Sequence, residues 1–463
     1  MSGAADLAYL AAALLLAAAL KAMTSRRTAR RGVRLGAAGI AVAAGAALLH
    51  TPGPTTADPT AITYVYVVAG VLIGAVIGAA AALAVRMIAV PPLVALFNGL
   101  GGLASALVVL AALWTASPAS ALYTGRFAVA CGISTLIGWA TFTGSLTAFA
   151  RGRTADGAPV VLPRHHAVVL GGLAGAVVLI VLLGLLPPQR WLVVPLAVLA
   201  AGLGAMLVGP IRPVDMPAAI SMLTGGAGLA AAVAGIALGS AGLIIGGALV
   251  GASGIVLARR MCRAINRSPA AVLLAAVGAA PGEGGPPSRR WTVEDAADVL
   301  GAAAHIIIIP GYGLAVARAQ HAVKDLSDVL TARGARVQFA IHPAAGRLPG
   351  HMNVLLAEAQ VPGEQQVDLD AVNGDFPDAD VALVIGGNDI VNTAARTDKA
   401  SALYGMPILD AARARTVLII TRSDGGGFAG AGNPLFHADN AAMILGDAGD
   451  IVARINETLK RDG

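Results

Sequence analysis

Two glycines on either side of a tyrosine follow a run of residues that is typical of a buried strand. The run His305–Pro310 is rich in isoleucine, and Gly311, Tyr312 and Gly313 come directly after it and open a helical stretch. Glycines in such a turn let the backbone approach a pyrophosphate, and the helix N-terminus favours its negative charge. The sixth position of this pattern is Val316 rather than glycine. The spacing alone leaves two interpretations open, a dinucleotide site and a tight strand-to-helix turn.

The ends of two later strands carry residues that would select the form of a dinucleotide. An NAD site usually places an acid about 20 residues after the glycines, at the end of the second strand. This chain has His342 there, directly after Ile341. Arg422 follows a predicted strand at 417–421, where a guanidinium could hold a 2′-phosphate with two parallel hydrogen bonds. Both features indicate NADP rather than NAD.

Two further glycine-rich stretches follow predicted strands. Residues 386–389 read Gly-Gly-Asn-Asp and could face the same crevice as the first glycine turn. Residues 425–432 contain five glycines and begin three positions after Arg422. They are interpreted either as a mobile flap near the 2′-phosphate or as a plain surface loop.

Strands that alternate with helices frame these turns. This alternation predicts an α/β, Rossmann-like, doubly wound parallel sheet. Thr292 is expected to open a short amphipathic helix that runs through Leu300, and residues 439–459 are expected to be mainly helical. The strands are predicted at His305–Pro310, Arg336–Ile341, Val381–Ile385 and 417–421.

The composition places this sheet in an unusual chain. Of the 463 residues, 57% are hydrophobic and only 13% are charged, and the mean hydropathy is +0.75. These values exclude a disordered protein, a nucleic-acid binder with a basic surface, and an ordinary cytosolic enzyme. The two cysteines, Cys131 and Cys262, cannot form a disulfide scaffold. The class that fits is a polytopic membrane protein with a soluble domain.

The charge is divided at Ser268. Residues 1–268 contain 4 acidic and 17 basic residues, a net charge of +13, and the rest of the chain carries −7. We therefore predict a membrane domain at 1–268, a linker rich in proline and glycine at 269–290, and a cytoplasmic domain at 291–463.

Nine apolar segments approach the roughly 20 residues that a bilayer-spanning helix needs. Basic residues cluster in alternate loops, which places the N-terminus outside and everything after the ninth helix in the cytoplasm. The segments are 7–23, 33–50, 61–85, 92–114, 127–150, 167–186, 191–208, 216–238 and 241–257.

Few polar residues fall within these segments, and each has a structural as well as a functional interpretation. Hydroxyls such as those of Thr143, Ser221 and Thr224 usually bond the preceding helical turn or a neighbouring helix. Asn98 must find a partner in hydrocarbon, and it could serve either a proton path or simple helix packing. Asp215 could cap the helix that begins at Met216.

The residues named so far, read together with several longer stretches, resemble the beta subunit of the proton-translocating NAD(P) transhydrogenase over nearly the whole chain. The run from His342 to Asn353 is long and unusual enough to be specific for that family. The stretches in the apolar half are 94–101, 141–145, 215–217, 247–254 and 261–268, and those in the soluble half are 310–313, 342–353, 384–389, 433–436 and 446–448.

The resemblance implies that the two nucleotides are held by two kinds of subunit. This chain would hold NADP(H) and part of a proton channel in the bacterial inner membrane, without a metal. An alpha subunit, or a pair of chains replacing it, would hold NAD(H), and two copies of each half would assemble. Hydride would pass directly between the nicotinamides, and protons moving inward would drive NADPH formation.

The resemblance also implies roles for single residues. Arg347 would approach the phosphates, Arg422 would hold the 2′-phosphate, and Asp389 would couple protonation to nucleotide affinity. Asn98, Asp215 and Thr224 would belong to the proton path and its coupling. The implied NADP contacts are Tyr312, Ala344, Ala345, Gly346, Arg347, Leu348, Pro349, Gly386, Gly387, Asn388, Asp389, Ile390, Gly405, Met406, Thr421, Arg422, Ser423, Asp424, Gly425, Gly426, Gly427, Phe428, Asp447 and Ala448.

Two positions depart from the family pattern. Many members have lysine where this chain has Thr421, and some have a titratable histidine where it has Asn98. Asparagine cannot carry a proton, so we expect Asn98 to order water while a partner's helix supplies the carrier. In this family the cofactor also lies reversed, so Gly311 and Gly313 need not touch the pyrophosphate.

Two other classes of protein compete with this interpretation. A polytopic transporter or channel gated by a cytoplasmic nucleotide-sensing domain would usually carry an acid where this chain has His342. A membrane-anchored NADP-dependent reductase would need its substrate pocket and its acid or base within one chain. Activity in the absence of partner subunits distinguishes a reductase from a transhydrogenase half.

Overall fold

The computed structural model describes most of the chain and divides it into two compact units. Most of the apolar helices lie in one unit, of Met1–Ala155, Ala167–Met206 and Leu223–Ile255. The sheet lies in the other, of Asp156–His166, Leu207–Met222 and Val256–Gly463. The residues described are 2–23, 28–50, 60–84, 90–116, 124–153, 165–186, 189–211, 215–264, 268–274, 289–346, 350–422, 427 and 429–461.

Nine helices occupy the described part of the apolar half, and they match the nine predicted segments to within a few residues at most ends. The six from the fourth onward are long and apolar enough to cross a membrane. Shorter apolar stretches, Leu7–Ala22 and Val65–Ala81, lie within the first and third. The helices are α1 (Ser2–Met23), α2 (Ala29–His50), α3 (Thr60–Ala84), α4 (Val90–Thr115), α5 (Gly125–Arg153), α6 (His165–Leu185), α7 (Val193–Val208), α8 (Met216–Leu238) and α9 (Ala241–Ala264).

Glycines bring the helices of this bundle into backbone contact. A Cβ placed on Gly247 of α9 would lie 2.7 Å from the carbonyl oxygen of Gly228 and 2.8 Å from the Cα of Ala232, both on α8. Helices α4 and α5 approach as closely, since a Cβ on Gly102 would lie 2.8 Å from the carbonyl oxygen of Gly138. Membrane helices gain van der Waals contact from such approaches, because lipid tails supply no hydrophobic force between helices.

Hydroxyl groups add hydrogen bonds between the helices. Ser134 on α5 donates to the carbonyl of Ala230 on α8 at 2.9 Å, and Thr143 donates to the carbonyl of Ala201 on α7 at 2.7 Å. Ser221 bonds a carbonyl of its own helix. For Thr143 and Ser221 the structural interpretation of the hydroxyls is confirmed.

The C-terminal half contains a six-stranded parallel sheet with the strand order β3-β2-β1-β4-β5-β6. The predicted doubly wound sheet is thus confirmed. The side chains of Ile306 to Ile309 are fully buried, as expected for a strand covered by helices on both faces. The strands are β1 (His305–Pro310), β2 (Arg336–Ile341), β3 (Gln366–Asp368), β4 (Val381–Ile385), β5 (Thr416–Thr421) and β6 (Ala441–Leu445).

Short and medium helices precede, connect and follow these strands. Thr292 begins α11 with a capping box, in which its Oγ1 accepts the N–H of Asp295 at 3.1 Å and its own N–H donates to the Asp295 carboxylate at 2.9 Å. The predicted helix at this point is confirmed. The helices are α10 (Pro269–Leu274), α11 (Val293–Ala302), α12 (Tyr312–Ala317), α13 (Gln320–Ala332), α14 (His351–Glu358), α15 (Leu369–Val372), α16 (Ala394–Thr397) and α17 (Ala448–Arg461).

The prediction that residues 439–459 are mainly helical was wrong at its start. Ala441–Leu445 forms β6, and the helix α17 begins only at Ala448. Five apolar residues with one β-branched side chain cannot be assigned to strand or helix by periodicity, and only pairing with β5 decides. The three-residue strand β3 was not predicted, because its polar sequence Gln-Val-Asp has no strand signal of its own.

The close contact between α8 and α9 makes a testable prediction. Gly247→Val should lower the thermal unfolding midpoint of the detergent-solubilised chain, since overpacking costs about 1–3 kcal/mol. Gly246→Val is the matched control, because an added Cβ at the neighbouring Gly246 meets nothing within 4 Å. Equal midpoints for the two variants would contradict the described helix contact.

Candidate functional site

The carboxyl ends of the parallel strands bring most of the implied NADP contacts to one edge of the sheet. Tyr312 follows β1, Ala344–Gly346 follow β2, and residues 386–390 follow β4. Arg422 follows β5, and Asp447 and Ala448 follow β6. Ligands of open α/β sheets bind at this edge, so the structure supports its choice as the candidate site.

The two glycine turns at the centre of this edge are packed against each other. Gly311 donates its N–H to Ile385 at 2.9 Å, and Gly313 donates to Gly386 at 3.0 Å. A Cβ on Gly313 would lie only 2.6 Å from the Cα of Gly386, whose φ is +62°. These glycines are therefore needed for contact between the turns, which favours the turn interpretation over direct pyrophosphate binding at Gly311 and Gly313.

Asp389 is buried in the turn after β4 and holds a second glycine-rich segment. Its side chain is 8% exposed, and its carboxylate accepts the N–H of Ala429 at 3.1 Å. Gly427 lies so close that an added Cβ would be 2.7 Å from the Asp389 carboxyl carbon. The carboxylate thus fixes the backbone of residues that follow Arg422 in the chain.

Asparagine side chains continue this attachment. Asn433 donates to both the backbone carbonyl and the side-chain oxygen of Asn388, at 3.1 and 3.0 Å. Asn392, which is fully buried, donates to the carbonyl of Gly432 at 3.0 Å and accepts the N–H of Ala394. The far end of the 425–432 stretch is therefore tied to the turn after β4.

The loop after β2 is joined to a distant segment by His342. The ring accepts the N–H of Ala344 at Nδ1 (3.0 Å) and contacts the carbonyl of Pro407 through Nε2 (2.8 Å). Burial lowers the pKa of His342 to about 4. Gly346 has a φ of +95° and packs against the ring of His351.

The segment that contains Gly405 and Met406 reaches the same edge through backbone bonds. Gly405 donates its N–H to Ala395 at 2.8 Å, and Leu409 donates to Ile390 at 2.9 Å. Gly405 has a φ of +78°, which explains the glycine at this position. The 405–409 segment is thereby bonded to residues that follow β4.

The outer strands supply the charged and dipolar groups of the site. Arg422 is exposed and Thr421 half-buried, and the Gly446 N–H donates to the Thr421 carbonyl at 3.0 Å. Asp447 is exposed and accepts the N–H of Gly449 at 2.9 Å, where α17 begins. An exposed arginine and the N-terminus of a fourteen-residue helix thus follow neighbouring strands at the same edge, an arrangement that fits a phosphorylated ligand.

Several implied contacts lie outside the described residues. They are Arg347, Leu348, Pro349, Ser423, Asp424, Gly425, Gly426 and Phe428. Their roles, and the interpretation of 425–432 as a mobile flap, stay predictions.

The polar residues of the apolar half include one close pair between helices. Asn98 on α4 donates to the hydroxyl of Thr224 on α8 at 2.7 Å. The half-buried amide thus has a hydrogen-bond partner on a neighbouring helix, as its environment requires. Asp215 is 1% exposed and directly precedes α8, in the position expected of a helix cap.

The side chains at the sheet edge position backbone rather than converge on a reacting atom. The described carboxylate, asparagines and His342 each bond the main chain of a neighbouring loop. No cluster of metal-ligating side chains occurs among the residues that the structure describes. The arrangement suits a site that holds and aligns a large ligand.

Sequence reasoning gave no role to three residues that organise the site. Asn392 was not singled out in the sequence, Asn433 was named only as part of the stretch 433–436, and His342 was noted for replacing an acid and for beginning the stretch 342–353. Each bonds a segment at least 40 residues away, so only the folded chain reveals its partner. In the sequence, His342 and Asn392 are marked only as polar residues shortly after a buried strand. Asn433 is marked only by its place in the Asn433-Pro-Leu-Phe436 stretch.

Comparisons with known proteins agree with this architecture. The family model described as NAD(P) transhydrogenase beta subunit matches residues 5–458. The chain is 41% identical over 466 residues to NAD(P) transhydrogenase subunit beta of Rhodospirillum rubrum, covering 98% of each chain. The protein of that name from a designated strain of the same species matches with the same values. This chain therefore belongs to the family of NAD(P) transhydrogenase beta subunits.

Proposed function

We propose that this chain holds NADP(H) at the carboxyl edge of its sheet and exchanges hydride with NAD(H) held by a partner subunit. Family membership supports the reaction class. The observation that carries the assignment to NADP(H) is the exposed Arg422 directly after β5, next to the strand β6 that α17 follows. An arginine there suits a 2′-phosphate, and no acid ends β2 to hold a ribose 2′-hydroxyl.

The chain would contribute positioning and exclusion of water. NADP(H), when bound, would supply the hydride acceptor or donor, so the protein need not supply an acid, a base or a nucleophile. The loops after β2, β4 and β5 would align the nicotinamide through contacts from Ala344–Gly346, residues 386–390 and Gly405–Met406. Arg347, in the stretch 347–349, would approach the phosphates. The segment 423–428 would complete the contacts.

Coupling to proton movement would act through Asp389 and the helix pair α4 and α8. The Asp389 carboxylate accepts the Ala429 N–H and packs against Gly427. Protonation there would weaken its hold on the segment that follows Arg422, and linkage makes the effect on nucleotide affinity reciprocal. Asn98, bonded to Thr224, would order water along the path rather than carry the proton.

The proposed function also implies which partner subunits this chain has and in which membrane it lies. The family name supports an alpha-type partner, which would carry the NAD(H) domain as one chain or as two. The assembly would contain two copies of each half in the bacterial inner membrane. The N-terminus would lie outside. The membrane domain 1–268 and the linker 269–290 would connect to a cytoplasmic domain 291–463, and Asp215 would lie at the cytoplasmic end of α8.

Nucleotide binding by the full chain in detergent tests the assignment. We expect NADPH to bind more tightly than NADH, and Arg422→Ala to raise the Kd for NADPH about 10- to 100-fold, the range for a charge-assisted hydrogen bond. Thr421→Lys should tighten NADPH binding by up to about fivefold. Both variants should leave NADH binding unchanged.

Arg413→Ala is the control, because Arg413 is an exposed arginine at the opposite edge of the sheet. Equal Kd values for NADPH and NADH in the unmodified chain would rule out the proposed cofactor.

Proton pumping by the chain assembled with its partner in vesicles tests the coupling. Asn98→Leu removes the amide that donates to Thr224 and should lower pumping at least about tenfold, since a leucine side chain has no donor or acceptor with which to order water. Asp389→Asn mimics the protonated carboxyl group, so its affinity for NADPH should differ from that of the unmodified chain at neutral pH and should no longer depend on pH. Undiminished pumping by Asn98→Leu, or an unchanged pH dependence in Asp389→Asn, would remove that residue from the coupling.

A further inference from the structure

His342 is a buried imidazole that joins two loops at the carboxyl edge of the sheet. Its side chain is 2% exposed and directly follows the last residue of β2. Ala344 donates its N–H to Nδ1 at 3.0 Å, and Nε2 lies 2.8 Å from the carbonyl oxygen of Pro407, 65 residues along the chain. One ring thus spans two segments that are distant in sequence.

The two partners fix the protonation state of the ring. A backbone N–H can only donate and a carbonyl can only accept, so Nδ1 must be bare and Nε2 must carry the hydrogen. Burial, which lowers the pKa to about 4, favours the same neutral form at neutral pH. Protonation of Nδ1 would break the bond to Ala344. His342 is therefore built as a connector and has no free nitrogen with which to accept a proton from a ligand.

Both segments that the ring joins belong to the proposed nucleotide site. The first contains Ala344–Gly346, and Gly346 is held in a left-handed conformation against His351. The second contains Gly405 and Met406, and it is bonded in turn to the turn after β4 through Leu409 and Ile390. The ring therefore links the loop after β2, the 405–409 segment and the turn after β4.

We propose that His342 is a positioning residue for NADP(H), setting the spacing between the Ala344–Gly346 loop and the Gly405–Met406 segment. It touches neither the nucleotide nor the hydride, and it governs nucleotide affinity through the bridge to Pro407. This inference rests on the proposed function. A histidine that ends β2 in place of an acid thus has a structural role of its own in the cofactor site.

Two substitutions separate the bridge from general stability. In His342→Asn the amide oxygen can occupy the place of Nδ1 and keep the Ala344 bond, while the reach to Pro407 is lost. In His342→Gln the longer amide can donate to Pro407 and lose Ala344 instead. We expect both variants of the full chain to lose similar thermal stability. The Kd for NADPH should rise about tenfold in His342→Asn and less than about threefold in His342→Gln.

Kinetics with the assembled partner add a second readout. His342→Asn should raise the KM for NADPH and leave kcat within about twofold, because no reacting atom is touched. His305→Asn is the control, since His305 also bonds through both ring nitrogens, to Gln338 and to the Asp378 carbonyl, at the opposite edge of the sheet. It should cost stability without changing the KM.

The results of these experiments show separately whether the His342 bridge or the proposed function fails. Failure of the unmodified chain to bind NADPH would overturn the proposed function itself. Normal binding by the unmodified chain, with equal Kd values in His342→Asn and His342→Gln, would overturn only the bridge. A rise in the KM for His305→Asn as large as that for His342→Asn would also overturn it, because the effect would then reflect stability alone.

Discussion

The candidate site depends on the backbone contact between the turns after β1 and β4. Gly313 and Gly386 approach so closely that neither has room for a side chain, and two backbone hydrogen bonds lock the turns together. This contact lies at the centre of the sheet edge, where the strand order reverses direction. The residues that follow Gly386, including Asp389 and its attached segment, take their places from it.

Close backbone approach also organises the membrane helices, where it brings whole helices into contact. In the sheet domain, glycine lets two turns share one narrow space. Between α8 and α9, Gly228 and Gly247 let the helices gain contact that lipid cannot supply. In both halves polar side chains then bond the main chain of a neighbouring loop or helix. Such an arrangement suits the proposed hydride transfer, which needs aligned nicotinamide rings rather than an acid or a base from the protein.

The sequence predicted the nine apolar helices, four of the six strands and the edge on which the implied contacts lie. Those elements are dictated by long apolar runs and by glycine punctuation, which are local signals. Ala441–Leu445 was mistaken for helix because pairing with β5, not its own pattern, makes it a strand. The partners of His342, Asn392 and Asn433 could not be predicted, since each lies 40 or more residues away and is chosen by the fold.

The most direct measurement of this account is NADPH binding by a Gly313→Ala variant of the full chain. Alanine is the better helix former by about 1 kcal/mol, so propensity alone predicts that this change in α12 stabilises the protein. The close contact with Gly386 predicts instead that the added Cβ pushes the two turns apart. We therefore expect the affinity for NADPH to fall at least about tenfold. Gly363→Ala, where an added Cβ meets nothing within 4 Å, should bind normally. Unchanged NADPH affinity in Gly313→Ala would contradict the claim that the paired turns shape the site.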